Sequence, residues 1–308
     1  MEQASTISKG FVEDARKLRN EFEDIISDYS TDLWNYCKYV TGSPWDGEDL
    51  FQETMIKAFG LLPERWGDIT DKKYYLFRVA TNTWLDQCKK QKREIGSLDE
   101  TPEANLDFSD HLRLEEILTS LESNLTPKQT AAFLLFDIFQ FNAEEIAGIV
   151  HSTPGGVYSA VQRARRKIAS LDFSQSKMKG KSPSQNPTIQ AYLKAFNNGD
   201  LDSMLRLFSD QAQNEAFFGF QEFSKNEMLK GSLKFGLPGH TAQEFILWDK
   251  PVIIVLANGE IHDIQMQEIE NGKIVSHKSY FFRKEFIIAA AEELGLKAQL
   301  VKPPVNWE

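Results

Sequence analysis

Four polar side chains, spaced three or four residues apart near the middle of the chain, have the chemistry needed to bind DNA. If the segment is helical, one stripe at 100° per residue carries Ser159, Gln162, Arg163 and Arg166, with Tyr158 on its flank. Hydroxyl, amide and guanidinium groups can read base edges in a major groove and bind phosphates. The competing interpretation is an ordinary amphipathic helix with a solvated basic face.

A second group of side chains, in the last third of the chain, has the chemistry of acid–base catalysis. It comprises two carboxylates and three imidazoles: Asp249, Asp263, His240, His262 and His277. His262 and Asp263 are adjacent in a predicted strand, so at most one of them points into a pocket. A lone His or Asp in a strand is usually a surface or internally satisfied group, and we assign no catalytic residue and no cofactor.

Cys37 and Cys88 lack metal-ligand spacing, so no metal site is predicted.

The DNA-binding stripe lies on the second of two predicted helices that are joined by a short polar turn. Asn142 and Glu145 form a capping-box pattern at the start of the first helix, and Thr153 with Pro154 is a strong start signal for the second. The opposite stripe of the second helix is apolar and carries Val157, Val161, Ala164 and Ile168. This arrangement predicts a helix-turn-helix, and the two matched caps favour DNA reading over a solvated face.

Composition limits what kind of protein this can be. The 308 residues are 41% hydrophobic and 26% charged, which is typical of globular proteins with two or three domains. The formal net charge is −10, so the chain is not uniformly basic, but positive charge is concentrated at Lys89–Arg93 and from Arg163 to Lys181. No apolar run approaches the ~20 residues of a membrane span, and the N-terminus lacks an apolar signal core. We therefore expect a cytoplasmic protein without membrane association.

Three helices are predicted before residue 95, and two of them carry polar stripes of their own. The second helix, about 46–62, places Asp49, Gln52 and Glu53 on one face. The third helix, about 71–93, aligns an aromatic, an amide and cations on one stripe: Tyr75, Arg78, Asn82 and Lys89. These groups suit unstacked bases and phosphates. The helix ends in a basic segment that includes Arg93. A solvated surface is the competing interpretation for both stripes.

The predicted elements change from helical to mixed after residue 186. Two stretches rich in polar and turn-forming residues, 96–110 and 172–186, are predicted linkers. Helices near 187–198, near 200–209 and from Ser224 precede four β-rich runs, at 241–248, 251–257, 261–270 and 273–282. Two of the connections between these β-rich runs are Asn258-Gly259 and Asn271-Gly272, the typical turn sequence of a β-hairpin. We expect an α+β cone with helices on one side of a curved antiparallel sheet.

Three stretches resemble regions of the extracytoplasmic-function (ECF) sigma factors of bacterial RNA polymerase. F-N-A-E-E-I-A-G-I-V with V-Y-S-A-V-Q-R-A-R resembles region 4, D-L-F-Q-E-T-M-I-K-A-F resembles region 2.2, and Y-L-F-R-V-A-T-N-T-W-L-D resembles regions 2.3 and 2.4. The resemblance implies two all-α domains, sigma region 2 at 1–95 and sigma region 4 at 111–171, separated by the linker 96–110.

The same resemblance implies a role for each polar stripe. Region 2.2 docks on the clamp helices of the largest subunit of core RNA polymerase, which assigns Asp49, Gln52 and Glu53 to polymerase binding. Regions 2.3 and 2.4 melt and read the minus-10 element of promoter DNA, which assigns the stripe of the third helix, with Tyr75 where family members commonly have Trp. Lys89 and Arg93 then anchor phosphates. Region 4 reads the minus-35 element through the helix-turn-helix stripe.

Residues 187–308, opening with Y-L-K-A-F-N-N-G-D-L-D-S-M-L-R-L-F-S-D, resemble the SnoaL-like family. The resemblance implies a fused regulatory domain whose cone can hold a small-molecule ligand. The linker K-M-K-G-K-S-P-S and the segment F-F-R-K-E-F depart from motifs common in sigma factors with this fusion. The sequence thus indicates a sigma factor, not an enzyme, regulated in cis. Two alternatives stay open: an isomerase-like enzyme or ligand receptor tethered to a helix-turn-helix DNA-binding regulator, and a polymerase-binding anti-activator that no longer initiates.

Overall fold

The computed structural model describes residues 26–59, 67–95, 125–169, 186–216, 220–230 and 239–301. The chain forms two compact units, Met1–Ser176 and Lys177–Glu308, and the boundary falls inside the predicted linker 172–186. The helix predicted near 111–121 and the first part of the helix predicted from Phe11 lie outside the described residues. In the described ranges, no helix combines the length and the apolar character that crossing a bilayer requires.

The first unit is built from helices wherever it is described. They are α1 (Ser30–Thr41), α2 (Pro44–Phe59), α3 (Lys72–Ile95), α4 (Pro127–Phe133), α5 (Ala143–Val150) and α6 (Pro154–Ala169), and a π-helical turn, Leu134–Ile138, follows α4. The first three correspond to the predicted N-terminal helices, and α5 with α6 forms the predicted helix-turn-helix.

The starts of α5 and α6 follow from the capping residues that the sequence predicts. Asn142 Oδ1 accepts a hydrogen bond from the Glu145 N–H at 2.9 Å, and Glu145 Oε2 accepts from the Asn142 N–H at 2.8 Å. Thr153 Oγ1 accepts from the Gly156 N–H at 3.1 Å. These caps satisfy backbone donors that a helix start leaves without intrahelical partners. The geometry of the turn is therefore specified by local sequence.

An aromatic cluster joins the N-terminal helices to the segment that precedes α5. The ring centroid of Phe139 lies 5.2 Å from that of Phe77 and 5.5 Å from that of Tyr36, and Phe141 lies 5.1 Å from Phe77. Tyr36 and Phe77 are fully buried, and the Tyr36 hydroxyl bonds to Thr81 Oγ1 at 2.6 Å. Because these rings form a shared core, the two helical segments predicted as separate domains pack together in this unit.

The second unit is an α+β fold, as predicted. Its helices are α7 (Pro187–Asn197), α8 (Leu201–Leu207), α9 (Lys225–Lys230) and α10 (Lys284–Leu294), and its strands are β1 (Phe208–Ala216), β2 (Phe220–Glu222), β3 (His240–Leu247), β4 (Lys250–Ala257), β5 (Glu260–Glu270) and β6 (Lys273–Ser279). The strands form one sheet in the order β2-β1-β6-β5-β4-β3. All neighbours are antiparallel except β1 and β6, which are parallel. The four predicted strands are confirmed, whereas β1 and β2 are additional.

Helices cover both faces of this sheet, so the expectation of helices on one side was wrong. The inner face, which packs against α7, holds a core that includes Tyr192 and Phe208. On the opposite face, Phe286 of α10 lies 4.6 Å from Tyr280 and 5.3 Å from Trp248 between ring centroids. Four consecutive residues of β4, at 252–255, are buried, as in a strand that is covered on both sides. Residues 284–294, for which no element is predicted from the sequence, form this second cover.

Candidate nucleic-acid interface

The stripe predicted to read DNA lies on the solvent side of α6. Ser159, Gln162 and Arg163 are exposed, and Arg166 is half-buried. The opposite stripe is buried and includes Val157, Val161 and Ala164. The amphipathic division of α6 is as predicted, although the side chain of Ile168 lies outside the described residues.

Two side chains of this stripe bond to the backbone of their own helix. Ser159 Oγ donates to the Gly155 carbonyl at 2.9 Å, and Arg163 Nε donates to the Ser159 carbonyl at 3.2 Å. Both acceptors lie one turn earlier, so the side chains lean toward the N-terminal end of α6. The residues of that end are the ones that a recognition helix brings to base edges in the major groove.

Arg165, which the sequence does not single out, ties α6 to the π-helical turn. Its Nε donates to Asp137 Oδ2 at 2.8 Å, and its Nη2 donates to Asp137 Oδ1. Hydrogen bonding to Asp137 raises the pKa of Arg165 above its ordinary value. The Phe136 ring lies under the Arg165 guanidinium and also packs edge-on against Tyr158, whose centroid is 5.7 Å away. A bidentate pair is geometrically specific, so these contacts fix how α6 is presented.

Gln52 and Glu53, both predicted to bind polymerase, also serve the fold. Gln52 Nε2 donates to Glu48 Oε1 at 2.7 Å, and the buried Glu48 accepts from Trp34 Nε1 at 2.9 Å. Glu53 Oε2 accepts from Gln87 Nε2 of α3 at 2.7 Å. Both side chains are half-buried. Part of their hydrogen-bonding capacity therefore holds α2 against its neighbours.

Asp49 and Ile56 are the exposed members of the same α2 face. The positions 49, 52, 53 and 56 follow the i, i+3, i+4, i+7 spacing of one helical stripe. Asp49 is exposed, and Ile56 has 59% of its surface in contact with solvent. The sequence interpretation omitted Ile56, although its spacing of seven residues from Asp49 is the signal that places it here. The face thus exposes a charge and an apolar side chain two helical turns apart.

The stripe of α3 is unevenly exposed. Arg78, Lys89 and Arg93 are exposed, and Asn82 is half-buried. Tyr75 is also half-buried, and its hydroxyl oxygen is buried. Burial raises the pKa of Tyr75, so the phenol is neutral near pH 7. The stripe therefore presents a neutral aromatic, an amide and the Arg78 guanidinium in its N-terminal half, and the exposed cations Lys89 and Arg93 in its C-terminal half. Lys89 Nζ pairs there with Asp86 Oδ1 at 2.8 Å.

The N-terminal half of α3 also contacts α5. A Cβ atom added at Gly148 would lie 2.7 Å from the Tyr74 hydroxyl oxygen, so the glycine permits this close approach. Lys73 Nζ lies 5.5 Å from the Phe141 ring centroid, within cation–π distance. These contacts hold α3 beside the helix-turn-helix, which places the two predicted DNA-binding elements side by side in the first unit.

The acid–base candidates of the second unit do not converge on one site. Asp263 and His277 lie on the inner face, where Asp263 is bonded to Gln265 and His277 lies beside a ring of α7. His262 lies on the opposite face, with its ring centroid 4.5 Å from that of His240. Asp249 is an exposed turn residue with a φ of +62°. His262 and Asp263 thus point to opposite sides of β5, as their adjacency predicts.

Family models match both parts of the first unit. Sigma-70 region 2 matches residues 25–94, and Sigma-70, region 4 matches residues 115–168. A curated relative, the ECF RNA polymerase sigma factor SigG of Mycobacterium tuberculosis, is 26% identical over 231 residues, which cover 65% of this chain. The match spans 62% of the length of that relative.

The chain is also similar to solved structures. The crystal structure of the Mycobacterium tuberculosis ECF sigma factor SigJ is 16% identical with a TM-score of 0.32, covering 85% of this chain and 98% of that one. An NTF-2 like protein of unknown function from Burkholderia xenovorans is 21% identical with a TM-score of 0.24, covering 30% of this chain and 78% of that one.

Proposed function

We propose that this chain, which belongs to the ECF group of sigma factors, binds core RNA polymerase and directs promoter-specific transcription initiation. In this proposal α2 docks on the clamp helices of the largest polymerase subunit, α3 opens and reads the minus-10 element, and α6 reads the minus-35 element. The observation that carries it is the joint presence, in one helical unit, of the exposed α6 stripe and the exposed α2 face. A simple helix-turn-helix regulator has no need of the α2 face.

Run-off transcription on a genomic library tests the proposal directly. We expect discrete transcripts when core RNA polymerase and the full chain are combined, and none above background with either one alone. Binding of the chain to specific DNA without any dependence of transcription on it would favour the alternative, an enzyme or receptor domain tethered to an ordinary DNA-binding regulator.

Arg163 and Arg166 are expected to contribute to promoter binding in different ways. Arg163 lies in the exposed stripe just past the middle of α6, and its side chain leans back toward Ser159. A bidentate contact to guanine contributes about 1–3 kcal/mol of discrimination. Arg163→Ala should therefore relax the preference at one base pair. Arg166, with Tyr158, lies where phosphates are expected, so Arg166→Ala should weaken all promoters alike and flatten the salt dependence.

Binding-site selection at two salt concentrations separates these two roles. Lys284→Ala, a change at an exposed position of α10 in the second unit, is the matched control for loss of one cation. A wild-type motif for Arg163→Ala together with an altered motif for Arg166→Ala would show that α6 enters the groove in another orientation.

Promoter engagement requires the contact between α3 and α5 to open. The two promoter elements are centred about 25 base pairs apart, about 85 Å along B-form DNA, whereas α3 and α5 touch in this structure. The predicted linker 96–110 reaches about 50 Å when extended, and residues 111–125, with the helix predicted near 111–121, add about 30 Å. The chain length therefore allows the two elements to separate.

Energy transfer between dyes on α3 and α5 should fall when the protein joins polymerase and promoter. Suitable positions are the exposed Asp86→Cys and Glu144→Cys, in a background of Cys37→Ala and Cys88→Ser. A pair at Asp86→Cys and Thr31→Cys, both in the N-terminal helices, should keep its transfer efficiency. An unchanged signal between α3 and α5 in a transcribing complex would contradict the opening.

The second unit is proposed to regulate the first in cis. Support comes from its separate compactness and from its fusion to a helical unit with both promoter-binding elements. We expect a variant that ends at Ser176 to change transcription output at least about twofold, in either direction, without losing promoter selectivity. Identical dose–response curves for the full and shortened chains would instead favour an independent ligand-binding or enzymatic role for this unit.

A further inference from the structure

Glu48 of α2 is a buried carboxylate whose bonds lead from the core of the first unit to the α2 face. Its side chain has no exposed surface. Trp34 Nε1 of α1 donates a hydrogen bond to Glu48 Oε2 at 2.9 Å, and Gln52 Nε2 donates to Glu48 Oε1 at 2.7 Å. Burying a carboxylate costs stability unless its oxygens are hydrogen-bonded, and an apolar residue at this position would avoid that cost. The presence of Glu48 here therefore requires an explanation.

The chemistry of Trp34 and Glu48 fixes which end of the Gln52 amide faces inward. An indole N–H can only donate a hydrogen bond and a carboxylate can only accept one, so the two groups cannot exchange roles. Trp34 is 3% exposed, and this burial holds its N–H toward Glu48. The end of Gln52 that faces Glu48 is therefore the amide nitrogen. The carbonyl oxygen, Oε1, is the end that is left for a partner.

Gln52 Oε1 lies on a part of the α2 face that offers hydrogen-bond acceptors. Within the described residues this oxygen accepts no hydrogen bond, and the Gln52 side chain is half-buried. Asp49, three residues earlier, is exposed on the same helical stripe. A carboxylate and an amide oxygen are thus neighbours on the helix, whereas the nitrogen of the amide is turned inward. This arrangement is complementary to a donor.

We propose that Glu48 is a positioning residue that holds Gln52 with Oε1 toward core polymerase, and that the group it meets there is a guanidinium or an ammonium. Such cations donate hydrogen bonds and accept none, so they fit an amide oxygen beside a carboxylate. The inference rests on the proposed function, because it takes the α2 face as the docking surface. It adds which atom of Gln52 makes the contact and which residue holds that atom in place.

Glu48→Gln should invert the Gln52 amide while nearly keeping the size of the buried side chain. Because Trp34 can only donate, the new amide keeps its oxygen toward the indole and turns its nitrogen toward Gln52. Gln52 then accepts through Oε1 and presents its own nitrogen to the partner. The Kd for core polymerase should rise about tenfold or more, since a donor then meets a donor. Fluorescence anisotropy with the labelled full chain and purified core polymerase measures this Kd.

Exchanging the two groups, as Glu48→Gln with Gln52→Glu, should restore docking. The new carboxylate at position 52 accepts from the new amide with one oxygen and offers the other oxygen to the partner, and the formal charge of the chain equals that of the wild type. The Kd should return to within about threefold of the wild-type value. The matched control is the same exchange in the second unit, Gln190→Glu with Glu244→Gln, where Gln190 Nε2 lies 3.5 Å from Glu244 Oε2. This control should leave the Kd unchanged.

Gln52→Lys separates the docking contact from a purely structural role of Glu48. The ammonium keeps a donor for Glu48, so the internal bond is retained, but it leaves no acceptor for the partner. The Kd should therefore rise about tenfold or more while circular dichroism shows a folded chain. This variant decides the question if Glu48→Gln does not fold.

The outcomes distinguish this inference from the proposed function. Wild-type affinity of Glu48→Gln or of folded Gln52→Lys would overturn the positioning role, and so would an exchanged pair that binds no better than Glu48→Gln. Failure of the wild-type chain itself to bind core polymerase would contradict the proposed function, and the inference with it.

Discussion

Replacing Asp49 and Ile56 together with alanine is expected to lower the affinity for core RNA polymerase about a hundredfold. Both side chains are exposed on the α2 face, where Ile56 has 59% of its surface in solvent. Desolvating an Ile side chain contributes about 0.8 kcal/mol for each carbon group that alanine lacks, and an interfacial charge pair adds to this. The sum of about 3 kcal/mol corresponds to that change in Kd.

The comparison with Gln52 and Glu53 makes this prediction specific. Replacing Asp49, Gln52 and Glu53 with alanine should also weaken binding strongly, but part of that effect should come through the fold. The reason is that Gln52 supports Glu48 and Glu53 bonds to Gln87 of α3. Thermal unfolding should therefore show a larger drop in the midpoint for the triple variant than for the Asp49 and Ile56 variant.

The matched control for the α2 face is a double substitution in the second unit. Asp202→Ala with Leu229→Ala removes one exposed carboxylate and one partly exposed apolar side chain, and core binding should not change. The affinities can be measured by fluorescence anisotropy with labelled chain and purified core polymerase. Wild-type affinity of the Asp49 and Ile56 variant would remove α2 from the polymerase interface.

Features set by local sequence could be predicted, because a few neighbouring residues determine them. The capping pairs of α5 and α6 are formed as their residue types require. The hairpins at Asn258-Gly259 and Asn271-Gly272 have positive φ at both turn residues, the geometry for which Asn-Gly is selected. These signals are enough to predict the helix-turn-helix and the adjacent strands β4, β5 and β6 without any information on tertiary contacts.

Features set by distant residues could not be predicted from the pattern. The strand β1 reads F-S-D-Q-A-Q-N-E-A, which has little strand character, and it is stabilised by parallel pairing with β6, about sixty residues later. The bond of Glu53 to Gln87 and the packing of Phe139 on Phe77 likewise join separate helices. The spacing rules identified which face of α2 is polar, but not which of its side chains are already engaged.

Tyr75→Ala is expected to bind polymerase and duplex promoter normally and yet fail to open the DNA. Stacking of an unpaired base on an aromatic ring contributes about 1–3 kcal/mol, which corresponds to about a 5- to 150-fold loss of the open complex. Tyr75 is half-buried with its hydroxyl oxygen buried, so the ring is held in place and the phenol is neutral. The stacking face, rather than charge, should therefore provide the effect.

Substitution by other aromatics separates the ring from its hydroxyl. Tyr75→Phe and Tyr75→Trp should both support opening, because each keeps a stacking surface, whereas Tyr75→Ala should not. Permanganate reactivity of promoter thymines reports the open strand directly, and a premelted promoter should restore transcription by the alanine variant. Normal thymine reactivity in Tyr75→Ala would refute the stacking role. Equal defects in Tyr75→Phe and Tyr75→Ala would instead assign the function to the buried hydroxyl, which would then act by positioning α3.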